Sequence, residues 1–77
     1  MERTTPLHHQ VFNNADSFAQ AFDEAWRIHS LSRPDHGLSA DQKLVLILDQ
    51  VHAHPFMKEN PSLARRVAEF RIRLLGL

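Results

Sequence analysis

The chain contains no cysteine, so neither a disulfide nor a thiolate zinc site can hold it together. It also has no net charge, because nine lysines and arginines balance nine aspartates and glutamates. No overall field therefore draws it toward nucleic acid or an anionic membrane. Glycine is scarce: two residues in 77 cannot build a phosphate-cradling loop. No apolar run approaches the roughly 20 residues that span a bilayer. Residues 1–6 (Met1 to Pro6) lack the apolar stretch of a secretory signal. The expected location is the cytoplasm, and no membrane partner is expected. No segment alternates at strand period, and no internal repeat is present.

The chain does contain apolar residues at helical spacing. A 43% hydrophobic fraction is that of a globular chain, and its length suits a single domain with a small core. The densest apolar run, Leu44 to Val51, puts Leu44, Ile47, Leu48 and Val51 on one helical stripe, with Val45 and Leu46 off it. A helix apolar on more than one side is expected at the centre. Ser39 with Gln42 three residues on forms a capping box at its start. Pro55 should end it near His54.

Before it, Phe18, Phe22, Ala25, Trp26 and His29 share one stripe of a helix over about 15–30. Asn13, Asn14 and Asp16 offer N-caps, Phe12 a hydrophobic staple, and Asp23–Arg27 an i,i+4 pair. His29 is expected at the core edge with one hydrogen-bond partner. Pro34 and Gly37 break the chain in a short connection. The third helix should run from Pro61, behind Asn60, to Leu75, with Gly76 as its stop. Leu63, Val67, Phe70 and Leu74 form its apolar stripe. The expected fold is all-α, a small three-helix bundle. Residues 1–12 form an extended or partly disordered N-terminal arm, and residues 13–77 a single helical domain.

Candidate chemistry is sparse. The six histidines include His8-His9 and His52-x-His54, spacings that point ligands apart on a helix. No metal and no cofactor are expected. No nucleophile elbow or phosphate loop is present, and Asp49 near His52 reads as helix electrostatics. The expectation is a protein that is not an enzyme.

Apolar residues outnumber what one stripe per helix can bury, and exposed apolar patches on small proteins mark interfaces. The leading reading is a small regulator, adaptor or inhibitor, of the kind phages and plasmids often encode, docking on a larger protein partner. Its contact surface would be Val45, Leu46, Ile72 and Leu75, flanked by Arg65 and Arg66. The alternative is a dimeric DNA-binding transcriptional regulator using Arg65, Arg66 and Arg73 of the third helix. Against it stand a Pro55–Asn60 connection longer than a three- or four-residue turn and Glu69, placed to neutralise those arginines. Nucleic acid thus ranks behind a protein partner. A homodimer through the second helix is compatible with either reading.

Overall fold

The computed structural model describes residues 14–77 and is all-α among them. Three long helices, α1 (Ala15–Ser32), α2 (Ala40–Gln50) and α4 (Pro61–Leu75), are joined by a single turn of helix, α3 (Pro55–Glu59). The expected arm and the Phe12 staple fall outside the described residues.

The start signals work as local chemistry dictates. The Asn14 side chain accepts the Ser17 amide at 2.8 Å and caps α1. Ser39 and Gln42 close their capping box reciprocally, at 3.1 and 2.9 Å. Gly76 adopts φ 67°, the left-handed geometry that ends α4. The expected stops are less accurate. Helix α1 runs on to Ser32, leaving only Arg33, the residue before Pro34, outside the helical region at φ −136°. Helix α2 ends at Gln50 instead of His54. His54 must be extended ahead of Pro55 (ψ 134°), and the chain reaches that geometry through i→i−3 bonds from His52 to Asp49 and His54 to Val51.

Phe18, Phe22, Trp26, Leu44, Ile47, Leu48, Phe56, Ala64 and Ala68 form the core. The α1 and α2 stripes are those expected. The α4 stripe is not: Ala64 and Ala68 are fully buried, while Leu63, Phe70 and Leu74 face water. Two alanines four apart present a smooth face that lets α4 lie close against the aromatic side of α1. The same seam carries Arg71, whose guanidinium donates to Asp23 at 3.2 and 2.5 Å. Asp23 is therefore engaged across the bundle, and Arg27 turns to Glu24 instead of forming the expected Asp23 pair. Phe18 meets Phe56 just ahead of α4, Asp23 meets Arg71, and Trp26 shares a cleft with Leu75 and Leu77. Helices α1 and α4 thus run side by side in the same direction.

Two titratable groups are buried where α1 meets α2. Lys43 is 3% exposed; its ammonium donates to Ser30 Oγ at 2.5 Å and lies 4.5 Å from the centre of the Trp26 ring. Burial holds its pKa below the usual lysine range. His29 is 8% exposed, and its Nδ1 has no hydrogen-bond partner among the described residues, where one was expected. Burial, then Lys43, His36 and Arg33, push the His29 pKa below 6.5. A depressed base adds stability that is fully present above its unfolded pKa and is lost as pH falls, because only the unfolded chain takes up the proton. The denaturation midpoint should therefore drop between pH 7.5 and pH 5. His29→Leu, read by urea denaturation at both pH values, should flatten that drop. An equal drop in the variant would remove His29 as its source.

Candidate functional site

Helix α2, the four residues Val51–His54 and helix α3 form a helix, a tight turn and a second helix. The connection expected at Pro55–Asn60 is itself helical over residues 55–59. The link from α2 to α3 is therefore of the three- or four-residue kind, but residues 51–60 still separate α2 from the arginine-bearing α4, so the length objection to pairing those two helices stands. Periodicity could not reveal α3, because five residues are too few to show a stripe.

His54 fixes this turn against α1. Its Nδ1 accepts the Phe56 amide at 3.1 Å, capping α3. An accepting Nδ1 leaves the proton of the neutral ring on Nε2, which donates to Ser17 Oγ at 3.1 Å. The ring also stands edge-on to Phe18, with centroids 5.5 Å apart. On the α2 side, His52 Nδ1 donates to the Asp49 carbonyl at 2.6 Å. Among the described residues no three His, Asp or Glu side chains gather as a metal site would require.

Helix α3 passes into α4 through one residue, Asn60. Its amide donates to Phe56 O at 2.9 Å, and its carbonyl accepts from Ala64 at 2.8 Å. Its side chain caps nothing, although the Asn-Pro pair correctly marks the start of α4.

The four arginines of α4 have different surroundings. Arg71 belongs to the bundle seam, and its hydrogen bond to Asp23 raises its pKa. Arg65 donates to Glu69 at 3.1 Å, an exposed i,i+4 pair. Arg66 and Arg73 are exposed, and neither has an ion pair among the described residues. Glu69 thus neutralises one arginine, not three. Arg73 lies seven positions after Arg66, which sets them about 10.5 Å apart along one outer face.

The residues expected to form a protein-docking patch do not come together. Leu46 lines a cleft with His29, Arg33, His36 and Gln50. Ile72, half-buried, lies with Asp41, Leu44 and Glu69, and Leu75 lies with Trp26, Arg27 and Ser30. Val45 is exposed, about 100° around α2 from Leu46. Arg65 and Arg66 border no single apolar face made from these four.

A family model described as a cyanobacterial helix-turn-helix domain matches residues 16–76. That span covers every described helix almost completely. No curated protein matches the chain, and no solved structure does. Placing nucleic acid behind a protein partner is corrected by the family match, and no observation here supports the larger protein partner. The zero net charge was misleading because it averages over a surface on which Arg66 and Arg73 stand exposed, without an ion pair among the described residues. No described helix is long and apolar enough to cross a membrane.

Proposed function

We propose that this chain, which belongs to the cyanobacterial helix-turn-helix domain family, binds double-stranded DNA and acts as a regulator by occupying it. The family match carries the reading, and two features support it. The four-residue turn between α2 and α3 has the length of a DNA-binding helix-turn-helix. Arg66 and Arg73, without an ion pair among the described residues, offer two guanidiniums on one outer face of α4, suited to phosphate oxygens. Arg65 can exchange exposed Glu69 for a phosphate, since such surface pairs are worth little. Lys58, exposed in the last turn of α3, adds a fourth cation.

The test is salt dependence. Affinity of wild-type protein for a labelled duplex, followed by fluorescence anisotropy, should fall linearly in log–log form with salt. About four phosphate contacts give a slope of roughly −3.6. Absence of salt-sensitive binding in dilute buffer would refute DNA binding.

A further inference from the structure

An open cleft of about 400 Å³ lies between the end of α1 and α2, lined by His29, Arg33, His36, Leu38, Leu46 and Gln50. No carboxylate lines it. Asp35 and Asp49, the chain neighbours of His36 and Gln50, are not part of its wall. Arg33 is exposed and makes no ion pair among the described residues. His36 lies against His29, with ring centroids 5.0 Å apart, and its Nδ1 accepts the Leu38 amide at 2.8 Å. The proton of the neutral His36 ring is therefore on Nε2, which is a donor.

His29 is the one buried residue of the lining, and its Nδ1 has no hydrogen-bond partner among the described residues. Buried polar atoms without a partner are rare in folded proteins. Lys43, also buried, has no carboxylate partner among the described residues either. Burial, then Lys43, His36 and Arg33, disfavour the charged form of His29. Basic groups thus gather here without a counter-charge.

We propose that this cleft binds the phosphoryl group of a small phosphate monoester, held by Arg33, His36 and His29, with Leu38 and Leu46 against its organic part. The Arg33 fork presents paired N–H donors, His36 approaches from the loop, and Gln50 from α2. Three terminal oxygens match donors arriving from three elements better than the two oxygens of a carboxylate do. The dianion also supplies the missing counter-charge, so that His29 can take up a proton and donate through Nδ1. A metal ion is the other ligand suited to paired imidazoles. Arg33 and Lys43 repel a cation, however, and no third His, Asp or Glu joins the pair among the described residues. A duplex phosphodiester carries one charge and is flanked by two sugars, which hold it away from buried His29. The site does not rest on the DNA reading, and its test contains no DNA.

The measurement is an amide and imidazole NMR titration of wild-type protein near neutral pH, with ionic strength held constant by sodium chloride. The probes are inorganic phosphate, butyl phosphate, diethyl phosphate and butyrate. Inorganic phosphate should shift the Arg33, His36 and Gln50 resonances saturably, and butyl phosphate should bind more tightly. Diethyl phosphate and butyrate should bind at least about tenfold more weakly than butyl phosphate, each lacking a charge-assisted hydrogen bond. Arg33→Gln, at an exposed position, should cost butyl phosphate about tenfold or more in affinity. If that variant fails to fold, the wild-type titration decides alone. Several results would each overturn the proposal: no saturable shift with butyl phosphate, or shifts centred on Arg66 and Arg73. So would diethyl phosphate or butyrate binding as tightly, a folded Arg33→Gln that binds unchanged, or zinc chloride shifting His29 and His36 where butyl phosphate does not.

Discussion

Phe22→Ala should leave most of the protein unfolded at 25 °C. Phe22 is completely buried at the middle of α1, with ring centroids 6.5 Å from Phe18 and 5.7 Å from Trp26. Truncating a buried Phe to Ala costs about 3–5 kcal/mol through lost transfer energy and the cavity left behind. A single core in a chain of this size supplies only about 3–5 kcal/mol of net stability. The loss is therefore comparable with the whole. Far-UV circular dichroism with urea titration measures it, and Phe70→Ala is the control. Phe70 is half exposed on α4, so its truncation should change stability by about 0.5 kcal/mol or less. Equal effects at the two positions would mean that α4 packs through its leucine and phenylalanine line, not through Ala64 and Ala68.

Arg66→Glu/Arg73→Glu should reduce duplex affinity on the order of 100-fold at about 0.1 M salt and lower the salt slope by about two. Each change removes a phosphate contact and sets a carboxylate against the backbone. Neither side chain takes part in the bundle's ion pairs, so the fold should persist. Glu69→Gln should act in the opposite direction, since it releases Arg65 from its 3.1 Å pair. Anisotropy titrations against one duplex compare all three proteins. A double variant that binds as tightly as wild type would remove α4 from the interface.

What could be read from the sequence was what neighbouring residues decide. Asn14, the Ser39–Gln42 box, Asn60-Pro61 and Gly76 mark helix boundaries by local hydrogen bonding and backbone preference, and the structure places the boundaries there. The stripes of α1 and α2 were legible because large side chains define one face and have no rival. On α4 two faces compete. Leu63, Val67, Phe70 and Leu74 give the stronger periodicity, yet Ala64 and Ala68 are buried. Small residues carry little hydrophobic signal, while their fit against α1 depends on a surface 40 to 50 residues away in sequence. The candidate site was obscured for the same reason. Glu69 stands near three arginines in the sequence, but only geometry shows that it pairs with Arg65 while Arg71 reaches Asp23. The helical turn at 55–59 is set by His54, whose ring caps it and bonds to Ser17.

The side-by-side packing of α1 with α4 also bears on when the domain can form. Helical bundles fold fast when most contacts are local, but here Asp23 must find Arg71, 48 residues away, and α1 lies against the alanine face of α4. On a ribosome that has released α1, α2 and α3 but still holds α4 in its tunnel, Phe18 and Phe22 lack the helix that closes over them. Synthesis at about 5–20 residues per second keeps this state for about a second or more, long compared with the folding of a small helical domain. Native structure should therefore appear late and all at once, upon emergence of α4, instead of growing with the chain.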